Sequence, residues 1–137
     1  MRKISQFGLL AFLALTIVLG LRPGEAQAAD QGARVMLVLD ASGSMWGKVG
    51  DVTKIEAARR MVRTFLKGWP AEDQLGLIAY GHRRKGDCGD IEIIKPVGPV
   101  DAQAFMTEVG GLTPKGRTPM TEAVRVAAEA LKRQEGK

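Results

Sequence analysis

The fold is decided by the stretch VMLVLDASGS, residues 35–44. Five consecutive apolar residues, 35–39, are typical of a strand that is covered on both faces, as the central strands of a parallel sheet are. Asp40 ends the apolar run, and the four residues after it have the composition of a loop. The sequence therefore predicts a buried parallel strand whose carboxyl end carries one carboxylate and two hydroxyl groups.

The segment after this stretch has the pattern of a helix followed by a second buried strand. From Val52 onward the apolar spacing becomes helical, and Gly68 and Pro70 end the helix. Its predicted buried face comprises Ile55, Ala58, Val62, Phe65 and Leu66, and its predicted outer face comprises Arg59, Arg60, Arg63 and Lys67. Residues 75–80, LGLIAY, are again apolar. Strand, helix and strand in this order predict a right-handed βαβ unit with parallel strands.

The remainder of the chain continues in the same α/β manner. Residues 91–95 alternate weakly and stop at Pro96, which favours an edge strand, and residues 101–109 predict a short helix capped by Asp101. A turn-rich loop over residues 113–119 leads into a last helix that starts at Pro119. The predicted buried face of that helix comprises Met120, Val124, Ala127 and Leu131. The predicted class is α/β.

Length and composition exclude several other classes of protein. With 137 residues the chain is expected to form a single domain, and a single cysteine excludes both a disulfide framework and a cysteine-rich zinc module. The net charge is +5 for the whole chain, and it is +3 for residues 29–137, because residues 1–28 hold three basic residues and one acidic residue. This charge is too small and too scattered for a protein that binds nucleic acid.

The first 28 residues have the composition of a secretory signal peptide. A basic start at Arg2 and Lys3 precedes the uncharged segment 7–21, a helix-breaking segment follows at 22–25, and residues 26–28 read Ala-Gln-Ala. The apolar segment is shorter than the roughly 20 residues of a membrane-spanning helix. We expect cleavage after Ala28, export of the mature chain, and no membrane span after cleavage. The alternative is an uncleaved amino-terminal anchor.

The candidate functional residues lie at the predicted carboxyl edge of the sheet, where open α/β sheets bind their ligands. Asp40, Ser42 and Ser44 follow the first strand, and Gly43 allows the turn that aims both serine hydroxyls at one centre. Thr118 precedes the last helix, whose amino terminus is expected at the same edge. Oxygen ligands of this kind suit Mg²⁺. The plainer interpretation makes the two serines turn residues and Thr118 a helix cap.

These residues resemble the von Willebrand factor type A domain. The resemblance is carried by Asp-x-Ser-x-Ser at residues 40–44 after an apolar strand and by Gly-Arg-Thr-Pro-Met at residues 116–120, and it covers residues 34–137. It implies a doubly wound, Rossmann-like fold with a metal-ion-dependent adhesion site. Ser42 and Ser44 would bind the metal directly, Asp40 would act through water, and Thr118 would be the loop threonine. The metal would be Mg²⁺, Mn²⁺ or Ca²⁺.

The resemblance also implies what such a site would do and where. The chain would be a non-enzymatic protein-binding module, because an acidic side chain of a partner protein fills the open position on the metal. The segments at Tyr80–Arg83 and Gly86–Cys88 are most similar to exported bacterial members, which implies a periplasmic or extracellular location. The basic residues 83–85 would either attract acidic partners or form a solvated face.

The chain departs from the family pattern at its end. Members of the family continue into a further buried strand that ends in an Asp-Gly loop, whereas this sequence stops at Lys137. We therefore expect an incomplete fold with the first three strands and their helices only, in a truncated fragment. A defective fragment without binding function is the alternative. Cys88 is either half of a disulfide whose partner is missing, as related members imply, or a free thiol.

An enzyme of the serine hydrolase class is a further alternative. It would need a Gly-x-Ser-x-Gly elbow, but Ala41 and Met45 stand beside the candidate serines. Its base would have to be His82, the single histidine of the chain. A phosphatase of the haloacid type needs Asp-x-Asp, and Ser42 occupies the position of the second aspartate.

Overall fold

The computed structural model describes residues 32–134, and the predicted signal peptide lies outside the described residues. The first strand and the segment after it comprise β1 (Arg34–Asp40), a 3₁₀ turn (Gly43–Trp46), and the short strands β2 (Lys48–Val49) and β3 (Val52–Thr53). The later elements are α1 (Lys54–Lys67), β4 (Gln74–Tyr80), β5 (Ile91–Gly98), α2 (Ala102–Gly111) and α3 (Met120–Lys132).

The main sheet has the strand order β1-β4-β5. The pairing of β1 with β4 is parallel, from Arg34 opposite Gln74 to Asp40 opposite Tyr80, as the βαβ pattern predicts. The β5 strand runs antiparallel to β4 at the edge of the sheet and continues past Pro96, where the predicted strand stops. A shift of register near Pro96 allows this, because a bulge tolerates a residue that cannot donate to the ladder.

The sheet is covered on both faces, which confirms the predicted doubly wound α/β class for the part of the chain that the structure describes. On one face, Leu39 and Leu77 pack with Val62 of α1 and Phe105 of α2. On the other face, Ile78 and Tyr80 pack with the small residues of α3. Within residues 32–134, the main sheet has three strands and is accompanied by three α-helices, and three is the number of strands that the sequence predicts.

The first helix follows its predicted pattern with two exceptions. The Thr53 hydroxyl caps α1 by accepting a hydrogen bond from the Glu56 amide, and the helix ends before Gly68 as predicted. Phe65, predicted to be buried, is exposed and packs against Trp69, with ring centroids 4.9 Å apart. Arg59, predicted to face outward, is half-buried and donates to the carbonyl groups of residues 110 and 112. Its length lets it reach the end of α2 from the border of the buried face.

The predicted buried face of the last helix is wrong in part. Met120 and Val124 are 56% and 52% exposed, whereas Ala123 and Ala127 are buried against β4. The helix is rotated so that its smallest side chains face the sheet. Small residues at a contact let a helix approach its neighbour closely, which agrees with the alanines facing the sheet here.

No helix within residues 32–134 is both long enough and apolar enough to cross a membrane.

The centre of the sheet offers a test of this packing. Leu77 is 0% exposed on the middle strand, whereas Met61 of α1 is 74% exposed. Leu77→Ala is expected to lower the free energy of unfolding by about 3 kcal/mol, since it leaves a cavity in a close-packed core. Met61→Ala, the matched control, is expected to change it by less than about 0.5 kcal/mol. Urea unfolding measures both values, and similar losses in the two variants would contradict the described core.

Candidate functional site

Three backbone segments meet at the carboxyl end of β1 and β4. The loop after β1 pairs with the turn-rich loop before α3, because Ser42 forms a β-bridge with Gly116 and the Gly43 amide donates to the Gly116 carbonyl at 2.9 Å. Gly81, directly after β4, accepts hydrogen bonds from the amides of Lys115 and Gly116 at 3.0 and 2.7 Å. The serine loop (residues 41–44) and the threonine loop (residues 113–119) were predicted to share one edge of the sheet, and this prediction is confirmed for their backbones.

Two glycines make this close approach possible. Gly81 has a φ of +71°, and a Cβ atom there would lie 2.6 Å from the Arg117 carbonyl oxygen and 2.8 Å from Cα of Ser42. A Cβ atom at Gly116 would lie 2.5 Å from the Arg84 carbonyl oxygen. Such distances are shorter than any stable contact, so the meeting of the three segments depends on the absence of side chains at both positions. We call this contact of residues 42–43, 81 and 115–117 the loop junction.

The two candidate serines are brought together. Their Oγ atoms lie 3.0 Å apart and hydrogen-bond to each other, with Ser42 only 1% exposed and Ser44 exposed. Two adjacent ligands of an octahedral Mg²⁺, each about 2.0–2.1 Å from the ion, are about 2.9 Å apart. The serine pair therefore has the spacing that two neighbouring metal ligands need.

Asp40 lies beside this pair and is fixed by its surroundings. Its Oδ1 accepts a hydrogen bond of 2.7 Å from the Ser42 amide, and the Tyr80 hydroxyl donates to its carboxylate. Burial, and then the Asp40 charge, raise the pKa of Tyr80 to about 12. The tyrosine therefore stays neutral and remains a donor. Sequence reasoning missed Tyr80, although the parallel register that places it opposite Asp40 is the signal that could have found it.

Thr118 is exposed and lies two residues beyond Gly116 in the loop that the junction holds. It is not the cap of the last helix, because Pro119 occupies that position and makes no capping bond with its side chain. The capping interpretation of Thr118 is therefore wrong. That its hydroxyl joins the two serines as a ligand stays a prediction.

The donor chemistry of the site is hydroxyl-rich. Among the residues that the structure describes, no three His, Cys, Asp or Glu side chains cluster in a way that could hold a metal ion. A cation at this edge would therefore rely on the serine hydroxyls, with Asp40 as the neighbouring carboxylate. The serine spacing fits that arrangement, and oxygen donors of this type suit Mg²⁺, Mn²⁺ or Ca²⁺.

Trp46 ties the 3₁₀ turn to the threonine loop. Its indole Nε1 donates to the Pro114 carbonyl oxygen at 2.9 Å, while the side chain is about half exposed. The residue therefore packs at the edge of the site and also presents an apolar surface to solvent.

The loop after β4 contains a buried carboxylate that sequence reasoning missed. Asp90 is 0% exposed; its Oδ2 accepts bonds from the amides of Arg83 and Arg84 at 2.8 and 2.9 Å, and its Oδ1 accepts one from Arg83 Nε at 2.8 Å. Burial alone would raise the pKa of Asp90, but the Arg84 amide and the Arg83 donors outweigh it and lower the pKa to about 2. The charged Asp90 carboxylate therefore holds Arg83 and Arg84 of its own loop in place through hydrogen bonds.

Two of the three basic residues at 83–85 form ion pairs within their own loop. Arg83 pairs with Asp90 and also with Glu92 at 3.3 Å, and Arg84 pairs with Asp87 at 3.0 Å. The charges of Arg83 and Arg84 are thus partly balanced within the loop, and attraction of acidic partners by this run stays a prediction. Cys88, in the same loop, is exposed and a free thiol in the described part of the chain.

The loop junction yields a prediction about glycine. Gly50 and Gly81 both have positive φ, but a Cβ atom at Gly50 meets nothing within 4 Å. Gly50→Ala is expected to cost about 1 kcal/mol of unfolding free energy for backbone strain alone. Gly81→Ala is expected to cost about 2 kcal/mol more, because the new methyl group collides with backbone. Urea unfolding compares the two variants, and equal losses would show that the loops at the junction can separate at no cost.

Asp90 yields a prediction about pH. Its pKa is about 2 in the folded chain and about 3.9 in an unfolded one, so its stabilising effect is present above about pH 4 and is lost as the pH falls toward 2. The size of this effect is about 2 kcal/mol. The difference in unfolding free energy between the native chain and Asp90→Asn is expected to shrink by most of that amount between about pH 5 and about pH 2. A difference that is independent of pH, measured by urea unfolding, would contradict a charged Asp90.

Comparison with known proteins supports the fold. The sequence profile of the von Willebrand factor type A domain matches residues 35–137. The uncharacterized protein YwmD of Bacillus subtilis (strain 168) is 28% identical over 131 residues, which cover 90% of this chain and 57% of YwmD. YwmC of the same organism is 26% identical over 116 residues, covering 80% of this chain and 51% of YwmC. The chain thus spans about half the length of these curated relatives.

Solved structures show the same architecture. An uncharacterized membrane-spanning protein from Vibrio fischeri superimposes with a TM-score of 0.60 at 23% identity, over 74% of this chain and 50% of that one. An aerotolerance-related membrane protein from Bacteroides fragilis gives a TM-score of 0.51 at 24% identity, over 62% and 40%. At these identities the likeness concerns the fold alone. The profile match covers most of the chain, and the protein therefore belongs to the von Willebrand factor type A domain family.

Proposed function

We propose that the protein is a non-enzymatic protein-binding module whose binding depends on a divalent cation at the edge of the sheet. Ser42 and Ser44 would hold the cation directly, Asp40 would act through water, and Thr118 would complete the set from the neighbouring loop. The observation that carries the proposal is the 3.0 Å spacing of the two serine Oγ atoms beside Asp40, at the carboxyl end of β1. The cation would be Mg²⁺, Mn²⁺ or Ca²⁺.

The binding chemistry follows from the charge of this ligand set. Neutral hydroxyl groups leave most of the charge of a divalent cation uncompensated, so the bound ion would attract an acidic side chain of a partner protein. The chain's own contribution is to hold the hydroxyls at a fixed spacing. The loop junction provides this rigidity, because Gly43, between the two serines, is bonded to Gly116.

The alternative of a serine hydrolase is disfavoured by the position of the histidine. His82 Nε2 lies 2.9 Å from Glu92 Oε2, and its Nδ1 is buried with no hydrogen-bond partner within residues 32–134. The Ser42 hydroxyl pairs with Ser44. A nucleophilic serine needs a base in contact with its hydroxyl, and His82, the single histidine of the chain, is engaged elsewhere.

We further propose that the chain is exported by a bacterium and works in the periplasm or outside the cell. The basic, apolar and Ala-Gln-Ala segments at residues 1–28 support this proposal. Two proteins with similar solved structures are themselves named as membrane proteins. Under this proposal the metal site would face partners in an extracytoplasmic compartment.

Isothermal titration calorimetry of the purified chain with Mg²⁺ or Mn²⁺ tests the metal site. Saturable binding is expected for the native chain. Ser44→Ala is expected to raise the Kd by at least about tenfold, since it removes one of few ligands. Thr107→Ala, which removes an exposed hydroxyl from α2, is the matched control and is expected to leave the Kd unchanged.

Two results would contradict the proposal. A chain that unfolds cooperatively but binds neither ion would favour the alternative of a fragment without binding function. Turnover of an ester substrate that is abolished by Ser42→Ala would favour a hydrolase.

A further inference from the structure

The backbone of Asp90, whose side chain is the buried carboxylate, is connected to the serine pair through hydrogen bonds. The Gly81 amide donates to the Asp90 carbonyl at 2.9 Å, the Gly116 amide donates to the Gly81 carbonyl at 2.7 Å, and the Gly43 amide donates to the Gly116 carbonyl at 2.9 Å. Three backbone hydrogen bonds therefore lead from Asp90 to the peptide between Ser42 and Ser44.

A second connection runs through van der Waals contact. The Asp90 side chain accepts a hydrogen bond from the Arg84 amide. The carbonyl group of Arg84 is close to Gly116, because a Cβ atom on Gly116 would lie 2.5 Å from the Arg84 carbonyl oxygen. The position of the Arg84 peptide thus limits where the threonine loop can lie. Both connections begin at Asp90 and end at the backbone that carries the candidate ligands.

A carboxylate is well suited to hold such a loop. A buried charge is tolerated only when its lone pairs are satisfied, and the Asp90 oxygens accept bonds from two backbone amides and one guanidinium group. Charge-assisted bonds are shorter and stronger than bonds between neutral groups, so the loop is held in one arrangement. An asparagine would turn an NH₂ group toward one of these donors and lose that bond.

From these contacts we infer that Asp90 is a positioning residue of the candidate metal site: it fixes the loop over residues 82–90, and through Gly81 and Arg84 it sets the spacing of the serine and threonine loops. The inference rests on the proposed function for its metal-binding consequence. Its structural consequence, a tighter loop junction, does not depend on a metal.

The test compares Asp90→Asn with two controls in the full chain. Asp101→Asn changes a carboxylate that accepts two amide bonds at the start of α2, and Val109→Ala removes part of a buried side chain in the core. The first control matches the chemistry of the change, and the second lowers stability without touching the loop junction. Asp90→Ser, which keeps one acceptor oxygen, is measured alongside in case the asparagine variant does not fold.

Amide hydrogen exchange in the metal-free chain is the first measurement. In Asp90→Asn the amides of Gly43, Lys115 and Gly116 are expected to exchange at least about tenfold faster than in the native chain, in excess of any change that global unfolding explains. In Val109→Ala these amides are expected to change only with global stability. Equal local rates in Asp90→Asn and Val109→Ala would overturn the inference.

Mn²⁺ affinity and the electron paramagnetic resonance spectrum of bound Mn²⁺ are the second measurement. Asp90→Asn is expected to raise the Kd about tenfold and to broaden the spectrum, because residues that orient a metal's ligands affect its affinity. Asp101→Asn is expected to change neither the Kd nor the spectrum. An unchanged Kd and spectrum in Asp90→Asn would overturn the role at the metal site. If the native chain binds no Mn²⁺, the proposed function fails, and the exchange rates still decide whether Asp90 positions the loop junction.

Discussion

The whole edge of the sheet depends on a contact between backbones that no side chain interrupts. The Gly81 carbonyl oxygen accepts the Lys115 and Gly116 amides, and Gly116 in turn bonds to Gly43. Gly43 follows β1, Gly81 follows β4, and residues 115–116 precede α3. Because the hydrogen bonds are made by backbone, they fix the peptide positions of residues 43, 81, 115 and 116 directly. The loop junction therefore holds the loop after β1, the loop after β4 and the loop before α3 in fixed positions relative to one another.

The strands were predictable because their signal is local and strong. Continuous apolar runs at residues 35–39 and 75–80 have few uses other than a covered parallel strand, and the helix between them requires the parallel pairing that the structure has. The facing of α3 was not predictable in the same way. Met120 and Ala123 lie on neighbouring stripes of one helix, and the choice between them depends on how closely the sheet can be approached, a property of the partner surface.

The candidate site likewise contains residues that the local sequence identifies and residues that it does not. Asp40, Ser42 and Ser44 could be identified because they are close in sequence and the loop after a buried strand has a known position. Tyr80 was identifiable only by carrying the predicted parallel pairing through to the residue opposite Asp40. Asp90 could not be identified, since its importance arises from its burial. The charges of Arg83 and Arg84 were visible in the sequence, but their pairing was not. A single aspartate before an apolar strand carries no local mark of being buried.

The ion pairs of Arg83 and Arg84 affect the charge around the candidate site, with and without a bound cation. The loop over residues 82–92 carries Arg83, Arg84 and Lys85 against Asp87, Asp90 and Glu92, so its formal charges cancel with His82 neutral. Beside the serine pair lies the Asp40 carboxylate, and the loop junction also contains Lys115 and Arg117, which are exposed. Under the proposed function, a divalent cation beside Asp40 more than offsets the charge of that carboxylate, because two positive charges outweigh one negative charge at similar distance. Attraction of an acidic partner would then come from the ion together with the exposed cationic residues Lys115 and Arg117, while the ion pairs of Arg83 and Arg84 reduce the contribution of their own loop.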